Sequence, residues 1–145
     1  MRDQVYWEDV SEGMELPSLV NETTTRQLVQ YAGASGDFYE IHYDKDFATD
    51  TGLPGVIIHG ALKNAFLGYL MTDWAGESGW LRKLSCQYRG MDYPGIPLTA
   101  KGVITRKYQD GEALLVDCDI RLENPEGEIN TPGTATVELP SRDNL

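Results

Sequence analysis

Residues 56–75, VIIHGALKNAFLGYLMTDWA, contain one base, Lys63, and one acid, Asp73, in an otherwise largely apolar run. A helix that is apolar nearly all round is a buried one. Lys63, Asn64 and Gly68 interrupt the run too soon for a bilayer span, which needs roughly 20 predominantly apolar residues. The stretch therefore reads as the central helix of a soluble domain, ending at Gly76. Its first turn, Ile58-His59-Gly60-Ala61, offers unpaired N–H groups and a positive dipole end to an anionic oxygen.

Working outward toward the N-terminus, residues 31–55 read YAGASGDFYEIHYDKDFATDTGLPG and hold Asp37 and His42. On a helix these two side chains would point about 140° apart, and on a strand they would face opposite sides. They converge only if 37–42 is an irregular turn, which Ser35-Gly36-Asp37 permits through glycine's tolerance of positive φ and local Ser and Asp side-chain turns. Loops of this kind on a rigid scaffold are where catalytic groups concentrate.

The flanking chain supplies a sheet. Residues 1–22 suggest an extended entry with one strand near 14–20. Thr23-Thr24-Thr25 followed by Gln27 signals a helix start, Leu28, Tyr31 and Ala32 give that helix an apolar stripe, and Gly33 is expected to end it. Asp44 caps a short helix through Ala48 and Thr49, stopped by Gly52 and Pro54. Beyond Trp80, Leu84, Cys86 and Tyr88 alternate with polar residues as a half-buried strand. A strand from Leu98 to Tyr108 turns at Gln109-Asp110-Gly111 into Ala113 to Glu123, whose Leu114, Val116, Cys118, Ile120 and Leu122 share a face. A turn at Asn124-Pro125-Glu126-Gly127 precedes a last strand, Thr134 to Leu139, and the tail 140–145 is expected to fray. One long buried helix followed by an antiparallel meander implies an α+β design, with a sheet of about five strands wrapped round the helix and dimerisation through a sheet edge.

The chain has 145 residues, 41% of them apolar and 24% charged, which fits one globular domain over 1–145. The first ten residues lack the apolar core of a signal peptide, so a cytoplasmic location is expected. A net charge of −11 and a pI near 4.4 argue against a nucleic-acid partner. Cys86 and Cys118 form no CxxC motif and read as buried small residues in strands.

YAGASGD, then Ile41-His42, then LPGVIIHGAL, resembles the MaoC-like hydratase/dehydratase family, which includes R-specific enoyl-CoA hydratases and dehydratase subunits of mycobacterial-type fatty acid synthesis. The family pattern is close to Tyr-Ala-x-x-Ser-Gly-Asp-x-Asn-Pro-Ile-His, followed by Gly-x-x-Gly-x-Ile-x-His-Gly. The specific part falls on residues 31–62, and Tyr39-Glu40 stands where the family has Asn-Pro. The resemblance implies a hot-dog fold, a helix embraced by an antiparallel sheet, working as a homodimer or as half of a heteromer with another hot-dog subunit. It implies interconversion of trans-2-enoyl and (R)-3-hydroxyacyl thioesters of coenzyme A or acyl carrier protein, with no cofactor, no metal and no membrane partner. Asp37 and His42 match the family's catalytic pair, and Gly60 matches the glycine whose N–H polarises the thioester carbonyl. Tyr39, Ile58, His59 and Arg89 are expected to line the substrate site, with His59 serving foremost to order the helix start. A cationic rim for phosphates or an acidic carrier is expected among Arg82, Lys83, Arg89, Lys101, Arg106 and Lys107.

Three rivals stand beside this reading. His42-x-Asp44 with His59 superficially copies a two-His-one-carboxylate iron site, but the chain has too few strands for the jelly roll that usually carries one. A non-catalytic subunit that only shapes a partner's acyl tunnel, and a hot-dog acyl-CoA thioesterase, are the others.

Overall fold

The computed structural model describes residues 3–144. Strands β1 (Leu19–Asn21), β2 (Trp80–Cys86), β3 (Leu98–Asp110), β4 (Ala113–Glu123) and β5 (Ile129–Glu138) form one antiparallel sheet in the order β1-β3-β4-β5-β2. Helices α1 (Thr25–Ser35) and α2 (Lys45–Asp50) precede the central α3 (Gly60–Ala75). The helix is packed against the sheet's concave face, as the apolar run implies.

The core is the join between them. Leu62, Phe66, Leu67, Leu70, Met71 and Trp74 of α3 lie buried with Ala100 and Ile104 of β3, Val116, Cys118, Ile120 and Leu122 of β4, and Ala135 and Val137 of β5. Emptying one such site, as in Leu67→Ala, costs about 2–5 kcal/mol. Register shifts at Ile104/Arg106 in β3 and Leu81/Lys83 in β2 bend the sheet around the helix. The opposite stripe of α3, including Ala61, Ala65, Tyr69 and Thr72, is exposed. Residues 13–21 run along the outer side of β3, so the sheet's two edges are the three-residue β1 and the seven-residue β2.

Several boundaries differ from the sequence reading, each for a physical reason. Helix α1 runs through Gly33 and ends at Gly36, whose φ of 77° is the left-handed cap geometry that glycine adopts without strain. Thr24 caps its start, the hydroxyl accepting from Gln27 N–H at 3.2 Å. Helix α3 starts at Gly60, four residues into the apolar run and two beyond the expected first-turn residue Ile58, because Ile57 and Ile58 are tied to other segments: Ile57 N–H donates to Ile41 C=O and Ile58 N–H to Asp92 C=O. β2 stops at Cys86, so Tyr88 lies beyond it.

Strand β5 begins at Ile129, although Pro132 and Gly133 break the apolar alternation there. Pro132 is tolerated because β2 ends one pair earlier, at Cys86 opposite Gly133, so no ladder donor is missing. The entry strand is shorter than expected, Leu19–Asn21 plus an isolated Glu15–Val103 bridge. Through residue 144 the tail is docked rather than frayed: Ser141 Oγ donates to Glu8, and Arg142 pairs with Asp9 at 2.7 Å. Leu145 lies outside the described residues. Cys118 is buried and Cys86 half-buried, both free thiols. Among the described residues, no helix is long and apolar enough to cross a membrane.

Candidate active site

The turn between α1 and α2 is built by its own side chains. Ser35 Oγ accepts from Asp37 N–H at 3.2 Å, and Asp37 Oδ1 accepts from Tyr39 N–H at 3.4 Å, an Asx-type turn. Residues Glu40–His42 then form a single 3-10 turn that carries His42 inward. Asp37 is 48% exposed at its side chain and His42 8%. Their convergence follows: Asp37 Oδ2 lies 3.7 Å from His42 Nε2. The two carboxylate oxygens divide the work, one building the turn and the other facing the imidazole.

The His42 tautomer is set from behind. Its Nδ1 lies 2.8 Å from Ile57 C=O, which accepts and so requires N–H at that atom. Nε2 is therefore the atom with the free lone pair, turned to Asp37. The Ile57 N–H to Ile41 C=O bond of 3.0 Å fixes the same two segments to each other, so the ring is held by two contacts.

His59 backs this pair. It is fully buried, stacks on His42 at 3.7 Å with an 18° interplanar angle, and meets the Tyr31 ring edge-on at 4.8 Å. Its Nε2 lies 3.3 Å from Asp37 C=O, and its Nδ1 has no partner among the described residues. Burial first, and the neighbouring His42 second, push its pKa below the ordinary value of 6.5. A neutral His59 therefore donates from Nε2 and holds the turn. It does not border the cleft, which corrects its expected place in the substrate site.

The mouth of α3 completes the arrangement. Gly60 opens the helix, and its N–H has no acceptor among the described residues. A Cβ at Gly60 would lie 3.0–3.2 Å from three atoms of the Tyr88 ring, so the close approach of that ring is what calls for glycine. His42, Ile57, Ile58, Gly60, Lys63, Tyr88, Arg89, Gly90 and Met91 line a cleft of about 350 Å³. A larger hollow of about 530 Å³, with Tyr43, Lys45, Pro54, Val56, Tyr93 and Ile96 in its walls, contains neither Asp37, His42 nor Gly60. His42 and Gly60 line the smaller one, and Asp37, in the walls of neither, meets it through His42 at 3.7 Å.

Of the other expected lining residues, Ile58 and Arg89 border the cleft, while the Tyr39 ring sits edge-on to His42 at 6.3 Å outside its walls. The cationic rim does not assemble. Arg82 pairs with Glu138, Lys101 with Glu123, and Lys107 donates to Val10 C=O, so of the six bases only Arg89 lines the cleft. Sequence reasoning missed Lys63, Tyr88 and Met91. The one available signal was a lone lysine in an apolar helix.

The metal rival also changes. Asp44 is occupied as the α2 cap, accepting from Phe47 N–H at 3.1 Å. It is Asp37, with His42 and His59, whose ligand atoms fall within 4.8 Å of one another. With His59 Nε2 donating to Asp37 C=O, only its buried Nδ1 keeps a lone pair to offer an ion.

A family model described as MaoC like domain matches residues 12–118. The chain is 34% identical over 114 residues to fatty acid synthase subunit beta of Saccharomyces cerevisiae, covering 74% of this chain but only 6% of that much longer one. It is 29% identical over 134 residues to the 3-oxo-4,17-pregnadiene-20-carboxyl-CoA hydratase beta subunit of Mycobacterium tuberculosis, covering 90% and 96% of the two chains. In three dimensions it is similar to unliganded R-hydratase PhaJ1 from Pseudomonas aeruginosa, with a TM-score of 0.86, 20% identity and coverage of 96% and 88%. The five-stranded sheet around one helix is thus the hot-dog fold.

Proposed function

The chain belongs to the MaoC-like family of hydratases and dehydratases, and from that premise we propose that it adds water to trans-2-enoyl thioesters to give (R)-3-hydroxyacyl thioesters, and catalyses the reverse. The acyl group arrives on coenzyme A or acyl carrier protein. A water held between the Asp37 carboxylate and His42 Nε2 attacks Cβ and gives a proton to Asp37. The π pair moves toward the carbonyl, and the resulting enolate oxygen takes the Gly60 N–H at the positive end of α3. Cα then takes a proton back from the same pair. Hydroxyl and hydrogen have been added, and both side chains return to their starting state.

The observation that carries the reading is the 3.7 Å separation of Asp37 Oδ2 and His42 Nε2, with the tautomer fixed by Ile57. One oxygen about 2.8 Å from each atom fits above that gap, a normal hydrogen-bond length to both. The test is to mix the protein with crotonyl-CoA and longer enoyl-CoAs and follow loss of the conjugated-thioester absorbance, with Asp37→Asn and His42→Ala as controls. Turnover by the native chain with at least ~10²-fold loss in each variant is the expected result. Native-like rates in either variant would remove the mechanism.

The active unit in this proposal is a pair of hot-dog chains. Support comes from the open edge of β2, the exposed stripe of α3, and the relative named as a beta subunit. Light scattering of the purified chain decides between a self-pair, with a mass near 32 kDa, twice the 16.2 kDa chain, and a lone chain awaiting a different subunit.

A further inference from the structure

Lys63 is the anomaly of the central helix. It is 2% exposed, one turn into α3 beyond Gly60, and its Nζ donates to Asp92 Oδ2 at 2.9 Å and to Gly90 C=O at 3.0 Å. The other Asp92 oxygen takes Asn130 Nδ2 at 3.0 Å, and Asp92 is itself 5% exposed. An ammonium has three donors. Two are taken, and the third has no acceptor among the described residues.

Stability does not explain the pair. Buried ion pairs are often matched or exceeded by apolar residues of similar volume. A cation near the start of a helix also faces the positive end of the dipole, the unfavourable end for it. What the pair accomplishes is to put a cationic donor beside the cleft.

Two distances locate that donor. Helical side chains lean back toward the N-terminus, so Lys63 reaches toward the level of Gly60 and lies on nearly the same face. The Tyr88 ring lies within contact of Gly60, 3.0 Å from where its Cβ would be, and its centroid is 5.9 Å from Lys63 Nζ. Gly60 and the ammonium therefore flank one ring and border one cleft. The 5.9 Å gap has room for about one oxygen atom between ammonium and ring, at ordinary hydrogen-bond and van der Waals lengths.

We propose that Lys63 is a further catalytic residue, its free N–H joining the Gly60 N–H on the thioester oxygen as that oxygen becomes an enolate. This rests on the hydratase reading above. Lys63 transfers no proton in the step; it stabilises the charge that develops when the π pair moves, and releases the oxygen when Cα is protonated. Asp92, Asn130 and Gly90 are positioning groups that aim the ammonium.

The experiment compares the full-length native chain with the double variant Lys63→Met/Asp92→Asn, which removes the ion pair without leaving a buried charge behind. Two quantities are read: kcat and KM with crotonyl-CoA, and the enolate absorbance of bound acetoacetyl-CoA, an analogue whose enolate resembles the intermediate. The expected result is a kcat lower by about 10²-fold with KM held within about threefold, the scale of losing one oxyanion donor. The enolate fraction of bound acetoacetyl-CoA falls at least ~10-fold with it. A kcat within about threefold of native, a raised KM with kcat preserved, or an unchanged enolate band each overturns the assignment. If the double variant does not fold, Lys63→Gln/Asp92→Asn, which keeps a neutral hydrogen-bonding pair but no ammonium, is read by the same criteria. Failure of a self-paired native chain to hydrate any enoyl-CoA would sink the hydratase reading itself, whereas undiminished hydration by the variant sinks only the role of Lys63.

Discussion

Asp37→Asn separates chemistry from folding more cleanly than any other single change. The Asp37 side chain is 48% exposed, and its one turn contact, Oδ1 with Tyr39 N–H at 3.4 Å, is kept by the asparagine oxygen. Stability should therefore stay within about 0.5 kcal/mol of native, as for a surface change that leaves its hydrogen bond in place. The rate should not survive. An amide cannot take the proton of a water lying between it and His42 Nε2, and loss of a general base costs about 10²–10⁴-fold. At 1.36 kcal/mol per tenfold, that is about 2.7–5.4 kcal/mol of barrier. A thermal melt and an enoyl-CoA hydration assay on one preparation give both numbers. A variant that melts like native yet hydrates within tenfold of it would refute the base assignment. A rate loss matched by a large drop in melting temperature would show that Asp37 is structural instead.

His59→Gln should flatten the acid side of the stability profile. His59's pKa is held below 6.5, chiefly by burial, so the unfolded chain binds its proton first as pH falls. Its contribution is fully present above that value and lost as pH drops toward the lower folded one. An equally steep pH dependence of melting in the variant would rule this out. Asn130→Ala removes the donor to Oδ1 of the buried Asp92, and should cost about 1–3 kcal/mol by denaturant titration; an unchanged midpoint would mean water replaces the amide freely. Burial pushes the Cys118 thiol up to about 12, so a thiol reagent should label it only after denaturation. Rapid native labelling there would contradict the packing of β4 against α3.

The apolar run 56–75 shows how much of this fold was legible: a helix with no polar face had to be covered, and the alternation after Trp80 supplied strands that cover one side of it, the stripe of Ala61, Ala65, Tyr69 and Thr72 staying exposed in the single chain. The convergence of Asp37 and His42 was legible too, because no regular element joins them and Gly36 permits the turn. What could not be read depends on pairings between segments distant in sequence. Ile58 stays outside α3, its N–H taken by Asp92 C=O. Pro132 lies inside a strand because β2 ends beside it. Lys63 looked like a break in an apolar stripe, since nothing local says that Asp92 is its partner. The missing cationic rim has the same origin: Arg82 and Lys101 find acids across the sheet, Glu138 and Glu123, and such cross-strand pairs depend on register.

The central claim is that a water activated by Asp37 and His42 is added across a carbon–carbon double bond. Turnover of crotonyl-CoA in water labelled with heavy oxygen, followed by mass spectrometry and chiral analysis of the product, tests it most directly. The account predicts an intact (R)-3-hydroxybutyryl thioester with the label on the C3 hydroxyl and no free thiol released. Label in a free carboxylate together with released coenzyme A, or an S-configured product, would contradict it.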